Sequence, residues 1–147
     1  MKLSLLKAAD EFDIINDETY LYYNKETGEF DFYSDSLYAD PDAFEDPEYF
    51  EDDCWVECPS QWDINEYEMM KDFAETVADQ HKAELLWLAL KGKGAFRRFK
   101  DTIYNTEIQD EWFAFKRKAY AEVAREWCED NGLEYLDDID EIKPVPK

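Results

Sequence analysis

The stretch Thr19-Tyr-Leu-Tyr-Tyr-Asn-Lys-Glu-Thr-Gly-Glu-Phe-Asp-Phe-Tyr-Ser-Asp35 decides the fold class. Its two aromatic-rich runs favour a pleated, half-buried surface, and Lys25-Glu-Thr-Gly28 places a glycine where a short hairpin loop needs positive φ. A β-hairpin is the reading. In the second strand Phe30 and Phe32 share one face while Asp31, Tyr33 and Asp35 share the other, so one side serves as core. Upstream, the apolar spacing from Leu3 to Ile14 predicts a short amphipathic helix. Downstream, Cys54-Trp-Val-Glu-Cys58 alternates before Pro59 and predicts a third, short strand.

Beyond Pro59 the period changes from two to helical. Met69, Met70, Phe73 and Val77 cluster on one face of a helix over 65–77. Asp79 is read as the N-cap of a helix from Gln80 to Lys91, whose Leu85-Leu-Trp-Leu-Ala-Leu90 run predicts the most buried helix of the chain, ending at Gly92. Phe96, Phe99 and Ile103 predict a short helix with those three side chains inward. A long helix follows from Glu107 to Asp130, with a stripe of Ile108, Trp112, Phe115, Ala119 and Val123, and Asn131-Gly132 stops it. The fold class is therefore α+β: an N-terminal helix and a small antiparallel hairpin or sheet packed on a C-terminal bundle of about four helices. A length of 147 residues fits one domain, drawn as 1–135, with an acidic β-containing half (1–60), a helical half (61–132) and a frayed tail over 136–147.

Composition excludes several function classes. A hydrophobic fraction of 45% with 17% aromatics gives ample area for a core, so the chain is not a disordered acidic tail. The net charge of −22 opposes contact with nucleic acid or an anionic membrane. That charge is uneven: residues 1–80 hold 4 bases and 24 acids, and residues 81–147 hold 12 bases and 14 acids. The N-terminal apolar run is broken by Lys7 and Asp10 and is too short for a signal-peptide core, and no apolar window approaches the roughly 20 residues of a membrane helix. A cytoplasmic location is expected, with Cys54, Cys58 and Cys128 as free thiols.

The densest unusual stretch is Lys91-Gly-Lys-Gly-Ala-Phe-Arg-Arg-Phe-Lys-Asp101. It follows a helix rather than a strand and lacks the Lys-Ser/Thr end of a nucleotide-binding P-loop, so it reads as a helix corner, with Arg97 one turn before Asp101 and Arg98 on the outer face. This run, Trp112-Phe-Ala-Phe-Lys116 and Ala124-Arg-Glu-Trp127 leading to Glu129-Asp-Asn-Gly-Leu133 resemble the C-terminal signature of Uncharacterised Protein Family 0158, small bacterial proteins. The resemblance extends to the Tyr/Phe-rich hairpin with its Glu-Thr-Gly turn and the acidic middle. It implies no activity and no catalytic residue. The chain departs from the family at Lys93, where arginine is usual, and in a longer acidic segment around 40–53.

No catalytic constellation stands out, because the only histidine, His81, has no nucleophile signature beside it. A zinc site of Cys54, Cys58, His81 and Cys128 is disfavoured, since the first two lie on a strand without the tight knuckle such sites use. The acidic stretch 40–53 lacks calcium-loop spacing. No cofactor or metal is expected, and no enzyme activity. Two interaction surfaces remain: a basic one of Lys91, Lys93, Arg97, Arg98, Lys116, Arg117 and Lys118, and an acidic, aromatic one of Phe44, Tyr49, Phe50, Glu51 and Asp52. The expected function is a small acidic protein-binding protein with a bipolar charge surface and a partner of basic character. The alternative is a nucleic-acid-associated module using the Lys91–Arg125 region. Contiguity of the basic side chains favours the alternative, and pairing with acids favours a structural role.

Overall fold

A computed structural model describes residues 2–16, 18–34 and 52–139. In chain order the elements are β1 (Leu3–Ser4), α1 (Leu5–Phe12), β2 (Thr19–Asn24), β3 (Phe30–Ser34), β4 (Trp55–Glu57), α2 (Gln61–Ile64), α3 (Glu66–Thr76), α4 (Gln80–Ala89), α5 (Ala95–Asn105), α6 (Gln109–Asp130) and β5 (Tyr135–Leu136). The architecture is α+β. The described residues fall into two compact units, one of residues up to Ile64 with those from Tyr120 onward, the other of Asn65–Ala119. By sequence, residues 1–64 and 120–141 carry 4 bases and 28 acids, whereas residues 65–119 carry ten of each. The charge asymmetry therefore follows the two units more closely than the two halves of the sequence.

In the first unit the hairpin forms as the sequence dictates. Asn24 Oδ1 accepts from the amides of Glu26 and Thr27, and Gly28 adopts φ 77°, closing the loop between β2 and β3. β2 is central, with β3 and β4 antiparallel on either side. Phe12 and Tyr23 each meet the indole of Trp127 edge-on, at 5.4 and 5.9 Å between ring centres, and Phe30 lies 4.9 Å from Tyr23. These rings are the core, joined by the fully buried Leu5, Ala8, Ala121, Ala124 and Cys128. Phe32 shares the core face yet is 43% exposed, because β3 is an edge strand among the described residues.

Three boundaries differ from expectation. The predicted start of the first helix is a two-residue strand, since Leu3 and Ser4 pair in parallel with Tyr135 and Leu136. The tail expected to fray from 136 is instead held through Ile139: Asp138 is buried and accepts from the Leu6 amide at 3.0 Å and from the Ser4 hydroxyl, closing the start of α1. In α6 the buried stripe is Ile108 and Trp112 at the beginning but Tyr120, Ala121, Ala124, Trp127 and Cys128 toward the end, so Val123 gives way to the neighbouring face. An α-helix drifts relative to any strict repeat over six turns, and the core it meets decides which face is covered. Past the helix, Gly132 at φ 65° lets Leu133 N return to Cys128 O, the stop that Asn131-Gly132 predicts.

In the second unit Phe73, Phe99, Trp112 and Phe115 form one cluster, with Phe99 and Trp112 5.0 Å apart and Phe73 5.4 Å from both Trp112 and Phe115. Asp79 caps α4 through the Lys82 amide, as predicted. However, α4 is not the most buried helix: Leu86 and Ala89 are covered, whereas Leu88 is 59% exposed. α1, with Leu5, Leu6, Ala8, Ala9 and Phe12 all buried, holds that place. Among the described residues, no helix is long and apolar enough to cross a membrane.

Candidate functional site: an acidic groove between the strand β4 exit and the end of α6

Each basic candidate is engaged differently. Arg98 is exposed, on the outer face as predicted, but it is not free. Its Nε donates to Ala89 O at 3.2 Å, Nη1 to Lys93 O and Nη2 to Lys91 O, so one guanidinium gathers the carbonyls where α4 ends. A planar fork of five donors suits that task, and the left-handed Gly94, φ 77°, leaves room for it, since a Cβ there would lie 3.1 Å from Nη1. Arg97 pairs with Asp101 at 4.0 Å on an open surface, as its spacing predicts. Lys116 meets Glu66 at 3.3 Å with both side chains mostly covered. Lys91, Lys93 and Lys118 are exposed, and Arg117 is half-buried. Of the acidic and aromatic candidates, Phe44, Tyr49, Phe50 and Glu51 lie outside the described residues; Asp52 is exposed, and its carbonyl accepts from Trp55 N at 3.0 Å.

The three cysteines are free thiols. Burial pushes Cys58 far above the ordinary thiol range, with the nearby Cys128, Glu57 and Glu11 adding to the effect. Burial, and then Glu129, pushes Cys128 up to about 11. Such thiols are poor nucleophiles and poor ligands at neutral pH. Among the described residues, no three His, Cys, Asp or Glu side chains converge as a metal cage.

A concavity lies elsewhere, wholly within the first unit. Hydrogen bonds at Leu21–Cys58 and Lys25–Cys54 set the pairing of β4 with β2, so Trp55 and Glu57 turn their peptide groups to the outer edge. Part of that edge is taken up within the protein: Trp127 Nε1 donates to Glu57 O at 2.9 Å and Trp55 N to Asp52 O. Next, Ser60 and Asp63 exchange bonds, Ser60 N to Asp63 Oδ2 at 3.0 Å and Asp63 N to Ser60 Oγ at 3.2 Å, a capping box that fixes α2. On α6, Val123, Glu126, Trp127 and Asp130 stand at i, i+3, i+4 and i+7, one helical face. Together these residues line a groove of about 510 Å³. Its polar wall is four carboxylates, Glu57, Asp63, Glu126 and Asp130, its apolar part is Pro59, Val123 and the rim of Trp127, and among the described residues no Lys or Arg lines it.

A second, smaller concavity of about 100 Å³ shares Glu57, Cys58, Pro59 and Ser60 with the groove and is walled by Ile15, Tyr20, Leu21 and Trp62. Trp62 is 81% exposed. Neither hollow was anticipated from sequence. The signals were present as Ser60-Gln-Trp-Asp63, a capping-box spacing directly after Pro59, and as the mixed acid and tryptophan face of α6.

The sequence model of Uncharacterised protein family UPF0158 matches residues 1–145, and the chain belongs to that family. It matches no curated protein and no solved structure.

Proposed function

We propose that this protein is a small acidic binding protein of the cytoplasm whose first unit receives a basic segment of another protein. The observation that carries the reading is the groove walled by Glu57, Asp63, Glu126 and Asp130, which no cation lines among the described residues. Four carboxylates around a partly apolar concavity create a negative potential that a lysine or arginine side chain neutralises, while its methylene stem lies along Pro59 and the Trp127 rim. The surrounding unit, with 28 acids to 4 bases by sequence, supplies long-range attraction and a high association rate. The three free thiols suit a reducing compartment.

The basic stretch of the second unit offers a weaker site for a polyanion. Arg98 is committed to three carbonyls and Lys116 to Glu66, and Arg97 holds an open pair with Asp101, which leaves the exposed Lys91, Lys93 and Lys118. Few counterions are released on binding when cations are already paired.

Fluorescence anisotropy of a labelled octalysine peptide tests the proposal. Saturable binding to the full chain is expected, weakening steeply between about 50 and 300 mM salt as the Debye length shortens. Duplex DNA of similar size is expected to bind no tighter than about micromolar at about 150 mM salt. Absence of peptide binding at low salt contradicts the proposal.

A further inference from the structure

We infer that the bound segment carries one branched aliphatic side chain immediately beside its cations, seated in the hollow between Tyr20, Leu21 and Trp62; this inference rests on the basic-segment reading. Trp62 carries the argument. A tryptophan held on a capped turn and left 81% exposed is apolar surface placed for contact, since tryptophan is otherwise among the most covered side chains and among the commonest interface anchors. Its position is specific: the hollow it walls and the acidic groove share Glu57, Cys58, Pro59 and Ser60 as lining residues. One extended peptide, rising about 3.3 Å per residue with side chains alternating in direction, reaches both within two or three residues.

Size selects the occupant. A closed cavity of about 150 Å³ admits benzene, and the hollow, about 100 Å³ and partly open, takes in one compact aliphatic side chain such as leucine against Ile15, Leu21 and Trp62. The docking mode follows from the sheet edge. With Trp55 N and Glu57 O already bonded within the protein, two of the groups a paired strand would use are taken, and recognition falls mainly to side chains.

Two fluorescein-labelled peptides test the inference against the full chain, Gly-Lys-Lys-Leu-Lys-Lys-Gly and Gly-Lys-Lys-Gly-Lys-Lys-Gly. The leucine peptide is expected to bind about fivefold tighter, equivalent to about 1 kcal/mol. Trp62→Ala erases that preference and leaves the affinity for the glycine peptide unchanged; Glu126→Gln with Asp130→Asn weakens both peptides alike. Circular dichroism confirms that each variant is folded. Equal affinity of the two peptides for the wild type, or a preference that survives Trp62→Ala, overturns the inference while leaving the basic-segment reading intact. Failure of both peptides to bind at low salt overturns the two together.

Discussion

The indole Nε1 of Trp127 donates to the carbonyl oxygen of Glu57 at 2.9 Å, across 70 residues of chain. One side chain thereby takes up part of the outer edge of β4, fills the first unit's aromatic core against Phe12 and Tyr23, and presents its rim to the acidic groove. Trp127→Phe keeps most of the ring but leaves Glu57 O without that donor, and is expected to cost about 2 kcal/mol. Trp127→Ala removes the ring as well and is expected to cost about 3–5 kcal/mol. Urea denaturation followed by far-ultraviolet circular dichroism measures both, and equal losses would show that the hydrogen bond and ring packing are not separable contributions.

Phe96 and Phe99 separate what helical spacing predicts from what packing decides. Phe99 is fully buried against Trp112, whereas Phe96 is 47% exposed beside Tyr67. Phe99→Ala is expected to destabilise by about 3–5 kcal/mol, and Phe96→Ala by under about 1 kcal/mol. The same denaturation curves check the pair.

Arg98 and Arg97 are adjacent and chemically identical, yet only the first is structural. Arg98→Ala strands three carbonyls near the end of α4 and is expected to cost about 1–2 kcal/mol after allowance for solvent access. Arg98→Lys recovers little of this, because an ammonium does not span three acceptors as the guanidinium fork does. Arg97→Ala, which removes an exposed pair, is expected to change stability by no more than about 0.5 kcal/mol. Thermal melts of the three variants provide the comparison.

The thiols set an alkaline limit. Cys58 and Cys128 ionise less readily folded than unfolded, so their contribution to stability is intact below the ordinary thiol range near pH 9. Between about pH 9 and 11 the unfolded thiols release protons that the folded ones retain, and stability falls through that window. Cys58→Ala with Cys128→Ala is expected to flatten this fall in urea midpoints measured from pH 7 to 11. At pH 8 iodoacetamide is expected to label the half-buried Cys54 first, and the other two only in denaturant.

Alternation and turn chemistry made the hairpin legible, and capping residues did the same for Asp79 and Asn131-Gly132, since these signals act within a few residues of one another. Burial of particular faces was less legible. Phe32, Leu88 and Phe96 are apolar at correct periodic positions, but whether another element covers them depends on contacts far along the chain. The role of Arg98 was hidden for a related reason: it lies exposed as its spacing predicts, but its partners are backbone carbonyls, which leave no trace in side-chain patterning. The groove required Glu57, Asp63, Glu126 and Asp130 to meet from segments about 70 residues apart, a distance that charge counting along the chain does not bridge.

Basic segments are proposed to be received at the groove rather than by negative charge in general. The direct measurement is a ¹⁵N-edited NMR titration of the full chain with octalysine. The account predicts that amide shifts concentrate at Glu57–Asp63 and Val123–Asp130 and saturate together, and that Glu126→Gln with Asp130→Asn abolishes them there. Shifts scattered over acidic residues throughout the chain, with those two segments no more affected than the rest, would contradict it.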